Sequence, residues 1–126
     1  MRLANVYHCL ADPTRLRILN LLLDGPLCVC HVEAVLAEPQ ANISKHLRCL
    51  RANGFVECSK AGNWRIYALP LSPTPIIEAG LRTLRDCAAV DAECRADSRK
   101  LRKMRRCITG RAPLCHAKPE SRRKAA

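Results

Sequence analysis

The chain has 126 residues, 48% of them apolar and four aromatic, with a formal charge of +11, which bounds it to one domain of modest core and excludes a multidomain assembly. No stretch approaches the roughly 18 uninterrupted apolar residues of a membrane span, and Met1-Arg2-Leu3-Ala4 opens no secretory pattern, so a soluble, cytoplasmic protein is expected. The charge is uneven: residues 1–94 carry ten Lys/Arg against nine Asp/Glu, residues 95–126 twelve against two.

Leu3, Val6, Tyr7 and Leu10 recur at helical spacing and predict a short first helix. Asp12-Pro13 follows, a good N-cap and a residue suited to the first helical position. Leu16, Leu19, Leu22 and Leu23 are the expected buried stripe of helix two, which Asp24-Gly25-Pro26 ends. A third helix is predicted over about 30–37, broken by Glu38-Pro39. A fourth runs over about 40–52 with Ile43, Leu47 and Leu50 facing inward, stopped by Asn53-Gly54. Two helices with a tight break have a helix-turn-helix rhythm. Residues 55–60 and 64–69 alternate around Gly62-Asn63, a hairpin that reads as a wing. Pro70, Pro73 and Pro75 form a stiff connector, and Ile77, Leu81, Leu84 and Ala88 stripe a last helix from near 76.

The expected fold is mainly α with a small β-hairpin, a winged helix-turn-helix (ααααββα) over residues 1–98. Residues 99–126 read as a basic, disordered tail, either attracted to phosphate or simply solvated. The stripes on the first and last helices serve core packing or a homodimer interface. The dimer is favoured because dimeric helix-turn-helix proteins match two half-sites.

Nine cysteines are many for this length, and an odd number leaves one over from any set of disulfides. Without a secretory pattern they are expected to be reduced thiols, metal ligands or redox groups. Cys28 and Cys30, in Leu27-Cys28-Val29-Cys30-His31-Val32, stand at the front of the helix-turn-helix. Residues two apart on an ideal helix point about 200° apart, so one ion would grip both sulfurs only by unwinding the start of helix three. The pair is therefore expected to act as a trigger. Thiolates select soft ions over Mg, Ca or Mn, and a helix N-terminus favours the thiolate. The same residues also fit as small buried hydrophobes.

On a helical wheel of residues 40–52, Ala41, Asn42, Lys45, Arg48 and Cys49 point outward, with Gln40 and Ser44 on the flank near the N-terminus. Gln and Asn suit adenine, Ser either base, and Lys or Arg guanine or phosphate. The wing offers Lys60, Asn63 and Arg65 to the backbone or minor groove. The expected partner is double-stranded DNA, because so few aromatics argue against stacking on single strands. An ordinary solvated face is the alternative.

From Ala11 to Leu69 the chain resembles the ArsR/SmtB family of winged-helix metalloregulators. The resemblance rests on Leu10-Ala11-Asp12-Pro13-Thr14-Arg15, Leu27-Cys28-Val29-Cys30-His31-Val32, Gln40-Ala41-Asn42-Ile43-Ser44-Lys45-His46-Leu47, Leu50-Arg51-Ala52-Asn53-Gly54 and Gly62-Asn63-Trp64-Arg65-Ile66-Tyr67, in order and at the family's spacing. It implies a homodimeric repressor of its own operon that releases DNA on binding a toxic ion, with base contacts at Gln40, Ala41, Ser44 and Lys45. Arsenic-responsive members carry a Cys-Val-Cys pair here, often with a third cysteine where this chain has Glu33. As(III) or Sb(III) is the implied effector, with no permanently bound cofactor; Cd(II), Pb(II) or thiol oxidation are alternative inputs. Trivalent arsenic favours three thiolates. The third donor is open among Cys9, Cys49, Cys58, the tail thiols, water and a small thiol.

The family's other metal site, built from Asp, His and Glu on the last helix, is not expected here because that helix has no His. Cys87 and Cys94, seven apart on one expected helical face, and Cys107 and Cys115 form a further candidate metal site; interface packing is the alternative for Cys87. His8, His31, His46 and His116 read as surface or capping residues, with His31 near enough to Cys28 and Cys30 to tune them. No Cys-x-x-Cys beside a βαβ pattern, phosphate-cradling loop or Gly-rich fingerprint is present, so no enzyme is expected.

Overall fold

The computed structural model describes residues 1–107. Its elements are α1 (Arg2–Leu10), α2 (Pro13–Leu22), β1 (Leu27–Cys28), α3 (Val29–Leu36), α4 (Gln40–Ala52), β2 (Glu57–Ala61), β3 (Trp64–Ala68), α5 (Pro75–Ala88) and α6 (Ala92–Cys107). The architecture is a winged helix-turn-helix with one strand and one helix beyond those expected.

Local chemistry sets most boundaries. Asp12 caps α2 by accepting the Arg15 backbone N–H at 3.1 Å, with Pro13 next in the helix. Burial works against the Asp12 carboxylate, but the Arg15 N–H and the His46 and Arg15 charges hold its pKa below the usual range. Gly54, at φ +83°, turns the chain after α4, and the Phe55 N–H reaches back to the Leu50 carbonyl at 2.9 Å. Gly62, at φ +64°, makes the tight turn of the β2–β3 hairpin, whose register pairs Ala61 with Trp64 and Glu57 with Ala68.

The core departs from the expected stripe at α2. Ile18, Leu19, Leu21 and Leu22 are buried, whereas Leu16 and Leu23 are only half-buried. The reason is that α2 is central, packed by α1, α4, α5 and α6, so more than one face is covered. Its buried Asn20 donates to the Cys94 carbonyl at 3.0 Å and the Ser98 hydroxyl at 3.2 Å, both on α6. On α4, Ile43, Leu47 and Leu50 are fully buried as the wheel indicates.

Strand β1 is only two residues long, yet it makes the sheet three-stranded in the order β1-β3-β2, with Leu27 opposite Tyr67 and Cys28 opposite Ile66. Two residues are too few to show an alternation, so no periodic pattern marks this strand.

The expected boundary at residue 98 falls inside α6, which continues to Cys107. Its sequence is so cationic that it reads as tail, but it is amphipathic. Cys94 and Leu101 are buried, and Asp97 makes a two-toothed ion pair with Arg17 of α2, Nε–Oδ2 at 2.8 Å and Nη2–Oδ1 at 3.0 Å. Lys100 donates to the Val35 carbonyl at 3.1 Å and Arg105 to the Asp24 carbonyl at 3.2 Å. These cations thus fasten α6 through their head groups to backbone carbonyls at the margin of the core. The missed signal was Asp91-Ala92-Glu93: Asp91 accepts the Cys94 N–H at 2.9 Å as an N-cap. Residues 108–126 of the expected tail lie outside the described residues.

Candidate sensing site and nucleic-acid interface

Cys28 and Cys30 meet where a strand becomes a helix. Cys28 ends β1 and is the N-cap of α3 with extended backbone (φ −84°, ψ 157°), so only Cys30 is helical. The expected splay of about 200° assumed both residues on one helix. Instead the sulfurs lie 3.2 Å apart. Two thiolates on one tetrahedral ion with bonds of about 2.3 Å sit about 3.8 Å apart, so the pair fits a single soft ion after a sub-ångström adjustment. The expectation that an ion must unwind α3 is overturned: the gripping geometry already exists at the junction.

His31 completes this corner. Its Nδ1 accepts the Cys28 backbone N–H at 3.2 Å, the imidazole counterpart of a capping box. Among the described residues, Cys28, Cys30 and His31 are the one group of three metal-binding side chains whose donor atoms lie within 4.8 Å of one another. His31 is buried and caps α3, as one of the two roles expected for it. One turn beyond Cys30, Glu33 keeps a buried carboxylate oxygen, Oε2, without a hydrogen-bond partner.

Among the described residues, the other cysteines do not join the pair. Cys58 stands opposite Tyr67, and Tyr67 opposite Leu27, so the pleat puts Cys58 on the sheet face of Leu27 rather than that of Cys28. Cys9 and Cys49 face each other at 3.7 Å across α1 and α4. The expected outward position of Cys49 is therefore corrected: it is half-buried against α1. Cys87 and Cys94 are not on one helical face, because the chain turns between α5 and α6. Cys87 is exposed, whereas Cys94 is buried with its thiol pushed up to about 11 by burial and by Asp91. The side chains of Cys107 and Cys115 lie outside the described residues.

Among the other histidines, His8 is exposed and His116 lies outside the described residues. His46 is neither surface nor cap. It lies on the inner side of α4, where Arg15 donates to its Nδ1 at 3.3 Å.

The presumed DNA-reading side chains are spread over α4 and the hairpin. Gln40, Ala41, Lys45 and Arg48 are exposed on α4, Ser44 is half-buried, and Asn42 donates to the Glu38 carboxylate. On the wing, Lys60, Asn63 and Arg65 are exposed. Lys60 stands directly opposite Arg65 in the ladder. Like charges so placed repel, and an anion such as phosphate between them would relieve the repulsion.

Helix, turn, helix and paired wing define the class: a winged-helix DNA-binding regulator. The model of the bacterial regulatory protein, arsR family, matches residues 12–57. An HTH-type transcriptional regulator of Methanocaldococcus jannaschii is 43% identical over 65 residues, 51% of this chain and 73% of that relative. The arsenic resistance transcriptional regulator ArsR1 of Pseudomonas putida is 37% identical over 82 residues, 64% of each chain. Reduced HlyU from Vibrio cholerae superimposes with a TM-score of 0.60 at 28% identity, over 68% of this chain and 87% of that one. The chain belongs to the arsR family of transcriptional regulators, which are DNA-binding proteins and not enzymes. No helix among the described residues is long and apolar enough to cross a membrane.

Proposed function

We propose that the chain is a homodimeric, metalloid-responsive repressor, bound to operator DNA when ion-free and released when As(III) or Sb(III) ligates Cys28 and Cys30. The observation that carries this reading is the pair of sulfurs 3.2 Å apart at the N-cap of α3, in a chain similar to an arsenic resistance regulator. Gln40, Ala41, Asn42, Ser44 and Lys45 read the major groove, with Arg48 on phosphate and Lys60, Asn63 and Arg65 on the flanking backbone or minor groove. To do so, Asn42 exchanges Glu38 for a base edge. Leu3 and Tyr7, exposed on α1 at 43% and 65%, supply apolar surface for the second copy.

The coupling runs through the junction. Cys28 belongs at once to β1, paired with wing strand β3, and to the cap of α3, which packs on α4. An ion that spreads the sulfurs by about half an ångström, toward the spacing of a shared ion, moves the point where wing and helix-turn-helix meet. Loss of half-site fit then releases DNA. Changing Cys28 and Cys30 together to Ser is expected to preserve DNA binding and abolish arsenite-triggered release in a gel-shift titration. Continued release by the double variant would reject the trigger.

The imidazole of His31 in the cluster favours a second reading of the input, a divalent ion such as Cd(II) on a two-sulfur, one-nitrogen set. Parallel titrations with arsenite and Cd(II), with a count of sulfur neighbours by X-ray absorption, separate the two.

A further inference from the structure

A second thiol pair lies apart from Cys28 and Cys30. Cys9 of α1 and Cys49 of α4 are 40 residues apart in sequence, yet the Cys49 thiol donates to the Cys9 sulfur at 3.7 Å, and the Cys9 thiol to the Cys49 carbonyl at 3.9 Å. Cys9 is 1% exposed, whereas Cys49 is half-buried. Arg15 sits beside them, its Nε donating to the Cys9 carbonyl at 2.7 Å and its Nη1 to His46 Nδ1 at 3.3 Å. A guanidinium here opposes a cation, and among the described residues the two thiols belong to no group of three clustered metal-binding side chains. These surroundings disfavour a metal and suit sulfur chemistry that ends without charge.

We propose that Cys9 and Cys49 form a reversible disulfide under hydrogen peroxide, fastening α1 to α4 and weakening DNA binding. Cys49, the accessible thiol, loses its proton to solvent and attacks peroxide. The O–O bond breaks, leaving a sulfenic acid on Cys49, and the departing hydroxide takes up a proton as water. The Cys9 sulfur then attacks the sulfenic sulfur; the S–S bond forms, the S–O bond breaks, and the hydroxyl leaves with the Cys9 proton as a second water. Two thiols give up two electrons and one peroxide becomes two waters. Burial and the adjoining Cys49 push Cys9 up to about 12, which suits the later role, where its proton departs with the hydroxyl. The sulfurs must close from 3.7 Å to about 2.05 Å. That pull of over an ångström acts on the helix that carries Lys45 and Arg48.

The regulatory half of this inference rests on α4 as the DNA-reading helix. The test uses the full chain with Cys28→Ser and Cys30→Ser, so that the first pair is out of play, and a duplex selected by the reduced protein from a random pool. After peroxide and thiol blocking, a non-reducing tryptic digest is expected to yield residues 3–15 joined to 49–51. Affinity for the duplex is expected to fall about tenfold, equivalent to about 1.4 kcal/mol, and to recover with dithiothreitol. Cys9→Ser and Cys49→Ser each abolish both effects, and Cys49→Ser, at the half-buried position, carries the test should the core variant not fold. Absence of the joined peptide, or a joined peptide with unchanged affinity, overturns the proposal. Failure of the reduced protein to select any duplex overturns the DNA role of α4, and with it the regulatory half, while the digest still decides the disulfide.

Discussion

At the scale of single residues, the chain repeatedly uses one side chain for two purposes. Cys28 is a ladder residue opposite Ile66, the N-cap of α3, and one of two adjacent thiols. Asp12 likewise caps α2 and lies in the field of His46 and Arg15. Replacing Asp12 with Ala is expected to cost about 1 kcal/mol at neutral pH, measured by urea denaturation. The sign with pH follows from the depressed carboxyl. A group more acidic when folded than when unfolded contributes stability above the unfolded value of about 3.9, and loses it as pH falls through the lower folded value. The gap between wild type and variant should therefore close on acidification below about pH 4. A gap that stayed constant from pH 7 to pH 3 would show that the carboxylate is not the cap.

At the scale of elements, the turn between α3 and α4 sets the angle of the helix-turn-helix. Ala37 ends α3 in the left-handed region, φ 55° and ψ 39°, with its N–H on the Glu33 carbonyl at 2.9 Å. A Cβ there costs of order 1 kcal/mol, and glycine removes that cost while adding backbone freedom to the unfolded chain. Ala37→Gly is expected to stabilise the protein by about 0.5 kcal/mol, read as a raised denaturation midpoint. A lowered midpoint would mean that Ala37 makes packing contacts worth more than its strain. The same conformation holds α4 at the angle presented to DNA, so local strain and the proposed function share a residue.

At the scale of the molecule, α6 ties the C-terminal end of the described chain to the core. It meets α2 through the Arg17–Asp97 pair and Asn20, α3 through Lys100, and the α2–β1 loop through Arg105. Leu101, 1% exposed, anchors it. A buried leucine contributes about 1.5–3 kcal/mol, and the polar ties at its margins add smaller amounts. A chain ending at residue 98 is therefore expected to be about 3 kcal/mol less stable than one ending at 107, by chemical denaturation. Equal stabilities would return residues 99–107 to the status of a tail.

The parts of the fold governed by local rules were legible in the order of residues alone. Asp12-Pro13, Gly54 and Gly62 marked boundaries because capping and positive φ are properties of a few neighbouring residues. The inward face of α4 was legible because a helix packed on one side keeps a clean period. Tertiary structure decided the rest. Whether Cys28 and Cys30 splay or meet depended on a two-residue strand that exists only through its pairing with β3, 38 to 40 residues away in sequence. Whether Cys9 and Cys49 touch depended on how α1 packs against α4. Whether residues 99–107 are helix or tail depended on a core that accepts Leu101 and on partners for Asp97 and Lys100 in α2 and α3. Spacing along a chain fixes direction within one element; contact between elements is set by packing, which no local pattern encodes.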